Sequence, residues 1–188
     1  MPLPKIEPLM TVADLDILPE DNNRYELIGG VLFVSRAPGV PHQKVIYNLV
    51  LPIGNYLADN PIGEVVITPS VFFSDYEAVI PDLVFISAER ISEVIPGGNK
   101  IEGAPDLAIE VVSPGKENSE RDRIWKRQLY AQYGVPEYWV IDAWQRTIEV
   151  YRLQNNSLEL IEKLRYNDTL TSPLLPDLVL PVADVFRF

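Results

Sequence analysis

The sequence predicts an α/β fold in which a mixed central β-sheet is flanked by helices. Three features carry that expectation. Residues 106–113, DLAIEVVS, form a nearly continuous apolar run, as a strand covered on both faces requires. A helix-length segment follows over residues 118–133 and stops at Gly134 and Pro136, where a left-handed cap and a helix breaker are expected. EYWVID at 137–142 then supplies another apolar strand. With the remaining short runs, the predicted order is α-β-β-α-β-β-β-β-α-β-β-β, which packs as helices against a mixed sheet.

From the amino end, Thr11 and Asp14 in TVADLDIL have the spacing of a capping box and predict a short helix. YELIGGVLFVS at 25–35 predicts two strands around Gly29-Gly30. Residues 41–59 predict a helix, with Pro41 in its first turn and Val45, Leu49 and Ile53 at spacing four. Strands are predicted at 64–68, 70–74 and 82–87, and later at 147–153 and 158–163, with a last helical turn near 182–188. The 17 prolines fall mostly at the borders of these elements and mark no linker.

A chain of 188 residues with 47% hydrophobic and 10% aromatic content can bury one sizeable core, so residues 1–188 are expected to form one domain. The absence of cysteine excludes disulfides and thiolate zinc sites, and a cytoplasmic setting is expected. MPLPKIEPLM lacks the apolar run of an export signal, and no stretch approaches the roughly 18 apolar residues of a membrane span. The net charge of −11 argues against a protein that coats nucleic acid, because such binding is driven by a basic surface. It is compatible with an enzyme that gathers carboxylates around a metal.

Three pieces concentrate chemistry: Pro81-Asp82 at the mouth of a strand, Glu110 inside an apolar strand, and Lys126 on the next helix. A carboxylate within LAIEVV is costly unless charge or metal compensates it. One account is structural, an ion pair of Glu110 with Arg121 or Arg123. The other is catalytic: two carboxylates on adjacent strands hold Mg²⁺ or Mn²⁺, whose bound water attacks a phosphodiester while a lysine steadies the developing charge. Lys126 has its own structural alternative, an exposed pair with Asp122 one turn earlier.

The chain resembles the Uma-type endonuclease family of the PD-(D/E)xK, restriction-endonuclease-like superfamily. The likeness runs over nearly the whole chain and rests on YELIGG (25–30), His42, PDLVFIS (81–87), PDLAIEVVSPG (105–115) and RDRIWKRQLYAQYGVPEYWVID (121–142). It implies a restriction-endonuclease-like sheet with additional antiparallel strands in the C-terminal half, and Mg²⁺-dependent cleavage of DNA. Asp82 and Glu110 become metal ligands, joined by the main-chain carbonyl of Val111 and by Glu26. Two departures stand out. The superfamily lysine belongs two residues after the acid, where this chain has Val112, so Lys126 is the substitute. Gly29-Gly30-Val31 replaces an expected Asp-Gly-Glu.

His42, the only histidine, excludes any His–His metal motif, and at a helix start it is either a cap or a site residue. Arg121, Arg123 and Arg127 sit among five basic and three acidic side chains between 116 and 127. A mixed-charge helix is usually a solvated face; beside two acids it becomes a contact for DNA phosphates. Tyr130, Tyr133, Tyr138 and Trp139 are expected to pack the core. One rival function is a silent nuclease-fold module that binds nucleic acid or protein. Another is a glycosidase, which needs one protonated acid and no metal. Cutting both strands of a duplex would favour a homodimer.

Overall fold

The computed structural model describes residues 9–188, so most of the N-terminal decapeptide read against an export signal lies outside the described residues. Thr11 opens α1 (Val12–Leu15), and the Asp14 carboxylate accepts from the Thr11 backbone N–H at 2.7 Å and from its hydroxyl at 2.8 Å. β1 (Asn23–Ile28) and β2 (Val31–Arg36) form an antiparallel hairpin. Gly29 and Gly30 both have positive φ, 58° and 74°, as a two-residue turn matched to strand twist requires. α2 (Val40–Asp59) buries Val45, Leu49 and Ile53 as their spacing predicts, and continues through Pro52.

The middle of the chain is made of short pieces. β3 (Gly63–Ile67), β4 (Val71–Ser74), β5 (Glu77–Val79) and β6 (Leu83–Ser87) lead to α3 (Ile91–Val94) and β7 (Ile101–Glu102). β8 (Leu107–Val112) then begins one helical run made of α4 (Lys116–Glu120), a π-helical turn (Arg121–Lys126) and α5 (Arg127–Gln132). β9 (Glu137–Asp142), β10 (Thr147–Gln154) and β11 (Ser157–Leu164) follow. The hairpin of β12 (Thr169–Ser172) and β13 (Leu175–Pro181) precedes α6 (Val182–Val185).

Six strands form the main sheet, in the order β11-β10-β9-β8-β6-β3. β8 and β9 are its parallel pair, joined by the helical run; its other pairs are antiparallel. Every residue of β8 and β9 is buried, which is why both read as nearly continuous apolar runs, broken by Glu110 in β8 and bounded by Glu137 and Asp142 in β9. On one face Leu83, Leu107, Ile109 and Val111 pack against Val45, Leu49 and Ile53 of α2 and against Leu180 and Val182. On the other face Val84, Ala108, Val112 and Val140 meet Leu129 and Tyr130 of α5 and Val71, Val79 and Ile101.

The latter three belong to a second sheet, β2-β1-β5-β4-β7, which the sequence reading had not separated from the first. β5, β7 and α3 have three, two and four residues, too few for a period to show. The mixed, helix-flanked α/β architecture is as expected. Among the described residues, no helix is long and apolar enough to cross a membrane.

Candidate active site

Strand pairing brings the two acids together. Leu83 lies opposite Ile109 across the antiparallel β6–β8 pair, so Asp82, one residue before β6, comes level with Glu110. The Val111 backbone N–H donates to Asp82 Oδ2 at 2.9 Å. Alternation along β8 turns Glu110 to the same face as Ala108 and Val112, the face under the helical run. Asp82 and Glu110 are 2% and 3% exposed.

The π-helical turn delivers the countercharge. Its widened i→i+5 spacing lets Arg121, Asp122 and Lys126 all turn inward and be buried. The Tyr138 hydroxyl donates to the Asp122 carbonyl at 2.8 Å, tying the turn to β9. Lys126 Nζ lies 2.6 Å from Glu26 Oε1 and 2.7 Å from Glu110 Oε1. Lys126 is therefore a buried bridge between two acids and makes no exposed pair with Asp122. Glu110 takes neither Arg121 nor Arg123 as its ion-pair partner. Arg121 Nε binds Asp122 Oδ1 at 2.9 Å, and its guanidinium stands 3.7 Å from Glu26 Oε2.

Further groups fix the carboxylates. The Tyr130 hydroxyl donates to Glu110 Oε1 at 3.0 Å, and the Ile80 N–H donates to Glu26 Oε1 at 2.7 Å. Arg24 reaches Asp82 Oδ1 at 3.1 Å, and His42 Nε2 lies 3.0 Å from Asp82 Oδ2. The other ring nitrogen of His42, Nδ1, is buried with no partner among the described residues.

The electrostatics follow from this packing. Burial opposes the charge of Asp82, but the His42 contact, the Val111 N–H and Arg24 outweigh it and hold the carboxyl below its ordinary value. Burial pushes the Glu110 carboxyl up to about 8; Lys126 opposes the rise, while Asp122, Asp82 and Glu26 add to it. Burial works against the Lys126 ammonium, yet Glu110, Glu26 and Asp122 overcome it and hold the lysine protonated. Burial also raises Asp122, against Lys126 and Arg121.

One narrow polar cleft is lined by Glu26, His42, Asp82, Glu110, Val111, Arg121 and Lys126, so these seven expected site residues meet. Arg123 and Arg127 lie elsewhere. Arg123 bonds Ser119 at 2.7 Å, Asp142 at 3.1 Å and Glu149 at 3.2 Å, and the Arg127 guanidinium lies 5.2 Å from the Tyr151 ring centroid. Three further residues border the site: Arg24, which the sequence analysis does not name, Asp122, expected there as an exposed partner of Lys126, and Tyr130, expected to pack the core. Arg24 had a signal: it stands two residues before Glu26 on β1 and so shares its face.

Among the described residues, no three His, Asp or Glu side chains are already gathered around one point as a metal cage. A water-rich cation such as Mg²⁺ needs only one or two carboxylates.

Comparison with known proteins agrees with this architecture. A solved structure described as a putative nuclease belonging to DUF820, from Anabaena variabilis ATCC 29413, superposes with a TM-score of 0.74 over 94% of this chain and 97% of that one. At 22% identity, that likeness carries the fold. No curated protein matches the chain. A family profile matches residues 12–183, from α1 into α6, and so spans every side chain of the cleft. By that match the chain belongs to the Uma2 family, described as putative restriction endonuclease.

Proposed function

We propose that this protein is a metal-dependent endonuclease that hydrolyses DNA phosphodiester bonds, with a PD-(D/E)xK-type site whose lysine has moved to the following helix. One observation carries the reading: Asp82, Glu110 and Lys126 come from three elements and meet in one buried cleft. Membership of a nuclease family supports it.

The donors fit a hard divalent cation. Lys126 and Tyr130 both use Oε1 of Glu110, which leaves Oε2 outside those bonds. Asp82, Glu110 and the Val111 carbonyl would hold Mg²⁺ or Mn²⁺, with Glu26 at the border, an all-oxygen set of the kind such ions take. When bound, the cation lowers the pKa of a coordinated water and absorbs charge on the phosphoryl oxygens.

The chain's own groups do the rest. Lys126 stays protonated, so it serves as a hydrogen-bond donor and fixed positive charge for the attacking water or a phosphoryl oxygen, and not as a base. Arg24, His42 and the Val111 N–H hold Asp82 ionised and in one orientation. Arg121 balances Glu26 and Asp122 behind the lysine. A cysteine-free chain suits the cytoplasm, and a homodimer of single-domain protomers would present two clefts for two strands.

Cleavage of plasmid DNA tests the proposal. Wild-type protein is expected to cut in Mg²⁺ and to stop on chelation, and Asp82→Asn and Glu110→Gln are expected to be inactive. Chelator-resistant cleavage would overturn metal dependence. Wild-type rates in either variant would overturn the site.

A further inference from the structure

A basic hollow lies at the same end of the main sheet as the cleft. It is lined by Gln145, Arg146, Thr147, Lys163, Arg165 and Tyr166: three cations and no carboxylate, in a chain of net charge −11. Strand register explains the gathering. β9 turns into β10 over residues 143–146, with Thr147 opposite Asp142, and Leu164 of β11 lies opposite Ile148, so Arg165 emerges beside that turn. Val112 runs parallel to Asp142, which places the Ser113-Pro114-Gly115 turn alongside as well. Asp82 and Glu110 face each other at this end too. Carboxyl ends of parallel strands are where open α/β sheets bind ligands.

A shallow depression lined by Ser113, Gly115, Trp144 and Gln145, among others, joins the two sites. It shares Ser113 with the cleft and Gln145 with the hollow. Trp144 stands in it 67% exposed. Arg146 and Arg165 are exposed, and neither makes an ion pair among the described residues, whereas Lys163 is tied to Glu149 at 2.7 Å. The Arg146 guanidinium lies 5.9 Å from the centroid of the Phe188 ring, a contact that takes up no carboxylate. A bare indole followed by two arginines outside any ion pair, continuous with a cleft for phosphodiesters, has the make-up of a single-strand track: bases stack on the aromatic face and phosphates follow the cations. A duplex keeps its bases stacked on one another and offers the indole no face.

We infer that an unpaired nucleic-acid segment leaves the scissile bond along this track, with a base stacked on Trp144 and its phosphates on Arg146 and Arg165. The inference rests on the phosphodiester reading of the cleft and adds a substrate class, a strand that is unpaired on one side of the cut.

The test is fluorescence anisotropy of a dye-labelled oligothymidylate and of a matched duplex, in chelator so that nothing is cut. Trp144→Ala is expected to weaken single-strand binding about tenfold, and Trp144→Phe, which keeps a stacking face, to retain most of it. The double variant Arg146→Gln/Arg165→Gln is expected to flatten the slope of log K against log salt by about 1.4. Duplex binding is expected to change less in all three. Wild-type affinity in Trp144→Ala, or equal losses for strand and duplex, would overturn the track.

Hydrolysis of bis(p-nitrophenyl) phosphate, too small to reach Trp144, separates the two readings. It is expected to be unchanged in these variants. A wild type that hydrolyses no diester contradicts the reading of the cleft, and the binding differences still decide the track.

Discussion

Lys126 carries an ammonium into a position that is 1% exposed, and Glu26 and Glu110 answer it at 2.6 and 2.7 Å. Replacing it with methionine leaves two buried carboxylates facing one another. The metal-free Lys126→Met protein is expected to lose about 3–5 kcal/mol of stability, the usual cost of removing one partner from a buried pair. Mg²⁺ is expected to recover more stability in this variant than in wild type, because the unbalanced acids bind it more tightly. Thermal melts with and without Mg²⁺ check both, and unchanged melting in the variant would show that the Lys126 bridge contributes nothing to the stability of the fold.

Glu110 adds a dependence on pH. Its carboxyl is raised from 4.5 to about 8, so between those values the folded protein holds a proton that the unfolded chain has lost. The stability this group contributes is therefore full below about pH 4.5 and falls away as pH rises through 8. Glu110→Gln is expected to flatten that part of the stability profile. Cation binding must displace the same proton, so calorimetry in buffers of different ionisation enthalpy should find proton release on Mg²⁺ binding at pH 7 and little at pH 9. Equal release at both would contradict it.

The decisive element is the π-helical turn over Arg121–Lys126. It sets the angle at which Arg121 and Lys126 enter the cleft, with Asp122 buried beside them, and Tyr138 holds it from the sheet. Deleting the half-exposed Trp125 is expected to restore an α-helical register and carry Lys126 away from Glu110. Cleavage should fall at least as far as in Lys126→Met while circular dichroism stays close to wild type; retained cleavage would mean that the turn does not position the lysine. Nothing in RDRIWK announces a π turn, and the side chain that holds it against the sheet, Tyr138, bonds it from sixteen residues away. The buried strands were legible, since β8 is apolar apart from Glu110 and β9 is apolar between its terminal acids, and so were Asp82 and Glu110, as charges where apolar residues belong. The second sheet was not, because two- and three-residue strands carry no period. Nor was the three-way commitment of Arg123, whose partners Asp142 and Glu149 come from strands whose pairing the sequence does not print.

Across the whole molecule, acidity and nucleic-acid binding are reconciled by segregation. The cleft's carboxylates are matched by Arg24, Arg121 and Lys126, and Arg146 and Arg165, which make no ion pair among the described residues, lie with Lys163 around the hollow at one end of the sheet. Each phosphate contact at the basic end releases counterions, so substrate binding is expected to weaken as salt rises, with a slope set by the number of those contacts. Binding titrations across a salt series check this, and a flat response would remove the basic end from the interface.

Metal-dependent cleavage requires a divalent cation between the two acids. A crystal soaked in Mn²⁺ and measured at the manganese edge tests that directly. The result expected is an anomalous peak bounded by Asp82, Glu110 and the Val111 carbonyl, absent from Glu110→Gln crystals treated identically. A wild-type crystal with Mn²⁺ bound elsewhere and none between these carboxylates would contradict the central claim.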